Sequence, residues 1–143
     1  MALSGWIETY RGVVTAWNCD HQGHMNTVEY YGMFDQAGWH MIQRSGVRRE
    51  RLEAEQTGFV DVRMELDFID EMVVNDPVLI ESGVEKIGGK SFTFRSRMSN
   101  VATGKITARG RCTTVHFDLA NRVSRTLPDD IRAGLENLLI TED

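Results

Sequence analysis

Apolar and polar positions along the chain fall into two periods, and the change from one to the other marks the elements. Residues 7–17 carry Ile7, Thr9, Tyr10, Val13, Val14, Thr15 and Trp17. Such β-branched and aromatic side chains suit a pleated, half-buried surface, so this run predicts an opening strand. Residues 18–26 lack that pattern and read as a loop. From Thr27 to about Arg44 the period lengthens: Val28, Tyr31, Phe34 or Asp35, Gly38 and Met41 or Ile42 recur at three and four residues, as on one face of an α-helix. Asn26 or Thr27 supplies its N-cap and Gly46 its C-terminal stop. Ala37 and Gly38 are small enough for a sheet to come close to the helix backbone. Residues 48–56 predict a short second helix.

The second half is β-rich instead. Runs at 59–69, 78–87, 91–99 and 105–117 predict four strands, and Gly88-Gly89 and Ala102-Thr103-Gly104 read as hairpin turns between them, which makes the strands antiparallel. Leu127-Pro128-Asp129-Asp130 opens a last helix, with Ile131, Leu135, Leu138 and Leu139 on one face. The resulting order, one strand, a long helix, four strands and a late helix, is an α+β layout. Repeats, low-complexity tracts and linkers are absent, and Pro77 and Pro128 fall at element boundaries. A single domain spanning the 143 residues is expected.

Composition narrows the function classes. A formal charge of −5 speaks against a nucleic-acid surface, and the mixed Arg48-Arg49-Glu50-Arg51 cluster does not change that. No stretch approaches the ~20 apolar residues of a membrane span, and Met1 to Trp6 lack the basic start and apolar run of a secretory signal. A cytoplasmic location is expected, with Cys19 and Cys112 as free thiols rather than a disulfide.

Candidate chemistry concentrates in Cys19-Asp20-His21-Gln22-Gly23-His24-Met25-Asn26, between the first strand and the long helix. A helix N-terminus offers backbone N–H groups without intrahelical acceptors and the positive end of the dipole, so it stabilises a developing oxyanion. Gly23 permits the turn that brings Asp20 back toward those groups. Carbonyl polarisation plus a nucleophile or base is what thioester hydrolysis requires. The bland alternative is a polar connection whose Asp and Asn only cap the turn. A metal site of Cys19, Asp20, His21 and His24 lacks a second ligand cluster, since His40 and His116 lie on unrelated segments. A Cys19 nucleophile is weakened because adjacent residues at a strand end point apart.

Residues 17–27, Trp-Asn-Cys-Asp-His-Gln-Gly-His-Met-Asn-Thr, followed by Tyr30-Tyr31 and Phe34-Asp35, resemble the D-x-x-G-H-x-N segment and helix of the 4-hydroxybenzoyl-CoA-thioesterase-like family. The resemblance runs over nearly the whole chain and includes Lys90-Ser91-Phe92, which looks like a family segment opening a strand after a hairpin. It implies a hot-dog fold, a long central helix wrapped by a curved five- or six-stranded antiparallel sheet, and acyl-CoA hydrolysis in homodimers or homotetramers with interfacial active sites. Carried over, Asp20 matches the catalytic aspartate, as nucleophile or general base, and the backbone N–H of Thr27 matches the oxyanion donor. Lys90 and Ser91 look like contacts to the coenzyme A phosphates, although Gly88-Gly89 stand where some relatives carry an arginine. His24 and Asn26 match the motif's histidine and asparagine, as substrate contacts or as loop-fixing residues. Coenzyme A is part of the substrate, so no separate cofactor or metal is implied.

A dehydratase of this fold would need a proline after the histidine, and none follows His21 or His24 in the helix entry. A non-catalytic acyl-CoA-binding or assembly module is the alternative from another class. Trp17, Trp39, Tyr30 and Tyr31 offer aromatic faces for an aryl acyl group or, with Asp35 or Glu29, a cationic one such as betainyl. Phe92, Phe94, Ile106, Val115 and Phe117 are expected on the sheet face away from the helix, an apolar surface for subunit pairing.

Overall fold

The structure, a computed structural model, describes residues 5–141. β1 (Ile7–Val13) ends four residues before the predicted limit. Val14 leaves the ladder to donate to the Asp76 carbonyl, and Ala16–Asn18 wind into a 3-10 turn. The Asn18 side chain locks that turn, its Oδ1 accepting from the Thr15 N–H (2.8 Å) and the Thr15 hydroxyl (2.7 Å). α1 (Thr27–Arg44) has the predicted bounds, and α2 (Arg49–Glu55) follows. Then come β2 (Thr57–Phe68), β3 (Pro77–Ile87), β4 (Ser91–Asn100) and β5 (Lys105–Asp118). A two-residue β6 (Val123–Ser124), too short to show a period, pairs with β5, and after α3 (Asp129–Glu136) the chain returns to β3, where Leu139 bridges Val84.

The six strands form one antiparallel sheet in the order β1-β3-β4-β5-β2, with β6 added to β5. Register shifts interrupt the β1–β3, β3–β4, β4–β5 and β2–β5 ladders, at Glu8/Tyr10, Val84/Lys86, Met98/Ser99 and Asp61/Arg63. Each bends and twists its strand, and together they curl the sheet around α1. This is the hot-dog arrangement.

Tyr30, Met33, Phe34, Ala37, Gly38, Met41 and Ile42 form the buried face of α1, at strict three- and four-residue spacing. The predicted face was offset at its start. Val28 and Tyr31 lie on the next stripe and are 74% and 41% exposed, because Tyr30 instead turns inward to pack edge-to-face on Phe68 at 5.1 Å. The close approach expected at Ala37 and Gly38 is present: a Cβ at Gly38 would sit 3.2 Å from the Phe94 ring.

Phe92 and Phe94 do not lie on the outer face; they are 1% and 3% exposed and belong to the core against α1. Directly paired residues in an antiparallel ladder share a face, and Phe92 pairs with Thr114 and Phe94 with Cys112. Val115 and Phe117 have the opposite parity, so the expected set mixed two faces. The outer face carries a lattice of charge instead. Arg97 pairs with Glu81, Arg111 with Glu85 and Glu65, and Trp6 lies under the Arg97 guanidinium at 4.2 Å. Among the described residues no helix is long and apolar enough to cross a membrane.

Candidate active site

The segment from Asn18 to Asn26 is pinned at both ends. Asn26 N–H donates to the Asn18 carbonyl (2.9 Å), and Cys19 and Met25 form an isolated antiparallel bridge. Inside that clamp the Asp20 N–H donates to the His24 carbonyl (3.0 Å) and the Gly23 N–H to the Asp20 carbonyl (3.0 Å). Gly23 takes φ +91°, a left-handed value that glycine adopts without strain. The loop is also tied sideways, since Met25 N–H donates to the Met72 carbonyl (2.8 Å) and His24 bridges Val73. Asp20 is exposed, and its Oδ1 accepts from the Gln22 N–H at 2.9 Å, while its second carboxylate oxygen has no hydrogen-bond partner among the described residues.

At the start of α1, Asn26 is the N-cap, its side chain accepting from the Glu29 N–H at 3.2 Å. Its carbonyl takes the N–H groups of Glu29 and Tyr30. The N–H groups of Thr27 and Val28 meet no acceptor among the described residues, as the first turn of a helix dictates. Asn18 reaches across with its Nδ2 to the Glu29 carboxylate, so one side chain joins the 3-10 turn to the first turn of α1.

These parts open into a cleft of about 470 Å³. Asp20, Gln22, His24, Asn26 and Thr27 line one wall, with Met25 and Tyr30 deeper, and the run Phe68 to Glu71 forms the opposite wall. His24 Nε2 stands 3.5 Å from Glu71 Oε1 across it. Burial pushes the Tyr30 hydroxyl above the ordinary tyrosine range, and the nearby charges of Asp70, Glu71 and Asp76 add to the effect. Four of the six predicted site residues, Asp20, His24, Asn26 and Thr27, therefore share one cleft. The opposite wall and Asn18 were missed. Nothing in a single sequence signals a contact between segments forty residues apart, whereas an Asn two residues before a motif Asp was a visible polar residue left unused.

Lys90 and Ser91 lie elsewhere. They sit at the β3–β4 hairpin, whereas the loop packs beside the other end of β3, where Val13 pairs with Pro77. At ~3.3 Å per residue, β3 keeps the two ends roughly 30 Å apart. Of the aromatic candidates only Tyr30 lines the cleft; Trp17 is 83% exposed outside it. The Cys19 thiol turns away to the Thr15 carbonyl (3.7 Å), and both cysteines are free thiols. Burial pushes the Cys112 thiol up to about 12, so it stays protonated.

A carboxylate beside unpartnered helix N–H groups can attack a carbonyl, or activate water to do so, while those groups hold the developing oxyanion. The chain is similar to known thioesterases. A model of the thioesterase-like superfamily matches residues 13–135. The long-chain acyl-CoA thioesterase FadM of Escherichia coli is 23% identical over 126 residues, which cover 88% of this chain and 95% of FadM. A Staphylococcus aureus protein solved in complex with CoA superposes with a TM-score of 0.88 at 13% identity, over 96% of this chain and 89% of that one. A 1,4-dihydroxy-2-naphthoyl-CoA thioesterase from Synechocystis gives 0.80 at 15% identity, over 91% and 95%.

Proposed function

The chain belongs to the thioesterase-like superfamily, and from that membership we propose that it is an acyl-CoA thioesterase, releasing a free acid and coenzyme A, with Asp20 as its catalytic carboxylate. One observation carries the assignment of the site: the pinned loop holds Asp20 in the same cleft as Thr27, whose backbone N–H at the start of α1 has no acceptor among the described residues. The thioester carbonyl oxygen points at the Thr27 N–H, and the α1 dipole favours the charge that develops there. Asp20 then acts in one of two ways. As nucleophile it forms an acyl-aspartyl anhydride and expels the coenzyme A thiolate, and water opens the anhydride. As general base it takes a proton from the attacking water. In both, the thiolate leaves and is protonated by solvent.

His24 and Asn26 serve chiefly to fix this geometry, His24 through Glu71 and Asn26 through the α1 cap. Coenzyme A is substrate, and the proposal requires no other cofactor. Lys90 and Ser91 meet the coenzyme A phosphates only if a second copy of the chain brings its hairpin to the outside of the cleft mouth, so the working form is a homodimer or homotetramer with interfacial sites. Two features support pairing: β2 is an unpaired sheet edge, and Val28, Tyr31 and Trp39 stand exposed along one stripe of α1. The cytoplasm is the proposed location, in keeping with two free thiols.

Thiol release from a panel of acyl-CoA thioesters, by the chain and by its Asp20→Asn variant, tests the reading. Turnover that disappears in the variant is expected. Absence of turnover on every member would favour a non-catalytic acyl-CoA-binding module, and near-normal rates in the variant would remove Asp20 from the chemistry.

A further inference from the structure

The charge of the cleft does not match the charge of a coenzyme A thioester. Asp20, Asp70 and Glu71 line it, and no Lys or Arg does. His24, even as imidazolium, balances only one of the three. Burial first, and then the charges of Asp70, Glu71 and Asp76, hold the neighbouring Tyr30 hydroxyl above the ordinary tyrosine range. The phosphates must therefore lie outside, and the part of the substrate that enters has to tolerate a negative field.

The same cleft has an apolar side. Met25, Tyr30, Phe68 and Ile69 contribute to its lining, and Phe68 is 50% exposed with the Tyr30 ring set against it at 85°. A long aliphatic acyl chain would use that surface but would strip water from three carboxylates without compensating them. An anionic acyl group would be repelled. A cation clothed in methyl groups satisfies both features: its methyls rest on the apolar wall, its charge faces the carboxylates, and an aromatic face such as that of Phe68 attracts it directly. The cleft, about 470 Å³ with Asp20 and Thr27 on one wall, has room for a short group of this kind.

We propose that the cleft selects short acyl groups that end in a quaternary ammonium, recognised by Phe68 and Tyr30 together with Asp70 and Glu71. The proposal rests on the thioesterase reading above and names the substrate class of that same site.

The test is a pair of thioesters equal in shape and different in charge, trimethylammonioacetyl-CoA and its neutral isostere 3,3-dimethylbutanoyl-CoA, hydrolysed by the purified full chain. The ammonium also activates its carbonyl, so each kcat/KM is divided by the rate of hydroxide-catalysed hydrolysis of the same thioester, and the cationic substrate should then be favoured by at least about tenfold at low salt. That ratio should shrink as ionic strength rises, as attraction to partly exposed carboxylates does. Glu71→Gln and Asp70→Asn should each lower the ratio several-fold, whatever they do to the absolute rates. Equal rates on the pair, a preference for the neutral member, or ratios unmoved by both substitutions would overturn the proposal. If the neutral thioester is hydrolysed through Asp20 without any preference, the substrate class fails and the thioesterase reading stands. If neither thioester nor any other acyl-CoA is turned over, both fail.

Discussion

Asp20 and Asn18 divide the work of the loop between chemistry and geometry. The Asp20 side chain accepts one hydrogen bond, from the Gln22 N–H. An asparagine oxygen keeps that bond, so Asp20→Asn removes the negative charge without loosening the turn. Its turnover should fall by at least about a hundredfold, while circular dichroism and the unfolding midpoint remain those of the parent. Asn18 shows the limit of reading residues in isolation. Cys19, Asp20 and His24 stand out by type, and two of those three line the cleft. Asn18 is as ordinary as any loop asparagine until its bonds to Thr15 and Glu29 are seen, and it lies at the join between two elements rather than within a motif.

The elements were legible where periodicity is long and locally determined. The bounds of α1 followed from its cap and its glycine stop, and the four long strands from β-rich runs and hairpin glycines. Facing was harder. Which stripe of α1 turns inward, and which parity of β4 and β5 meets it, depends on pairing and on four ladder shifts that leave no composition signal. Contacts between elements also give tests. Gly134 of α3 lies against the end of α1 so closely that a Cβ would stand 2.0 Å from the Ser45 carbonyl oxygen. That neighbour is backbone and cannot rotate away, so Gly134→Ala should destabilise the fold by about 2 kcal/mol or more despite the better helix propensity of alanine. Urea unfolding measures this, and an unchanged midpoint would mean that α3 is not docked there. On the outer face, β4 and β5 set Arg95 directly opposite Arg111, a like-charge pair. Glu85 resolves it, accepting two bonds from Arg111 at 2.8 and 2.7 Å. The Arg111 contact holds the Glu85 carboxyl below its ordinary range. A depressed folded-state value contributes stability above the unfolded value, and that contribution is lost as pH falls through the folded one. Glu85→Gln should thus be less stable than the parent by about 1 kcal/mol at neutral pH. Lowering the pH through the acid range should narrow the gap between their unfolding midpoints, and a constant gap would assign the loss to packing.

At the scale of the whole molecule, the separation of Lys90 from Asp20 decides how many chains a working site needs. Both were expected at one site, and within a single chain β3 holds them roughly 30 Å apart. If Lys90 binds the coenzyme A phosphates, it does so for the Asp20 of another copy, and the two residues can be inactivated in different chains. An Asp20→Asn chain keeps its lysine, and a Lys90→Glu chain keeps its aspartate. When the two are refolded together in equal amounts, random pairing into symmetric dimers makes half of them mixed, and each mixed dimer has one of its two sites intact. Activity at low substrate concentration should then return to about a quarter of the parent value, although each variant alone is nearly inactive. Were Lys90 to act within its own chain, every site in the mixture would lack either its carboxylate or its lysine, and nothing would be recovered. Full activity of Lys90→Glu by itself would instead show that the phosphates are held elsewhere. Mass measurement on the same mixture separates failed pairing from a wrongly assigned lysine, since exposed Val28, Tyr31 and Trp39 on α1 and the open β2 edge should keep the chains associated whichever residue is changed.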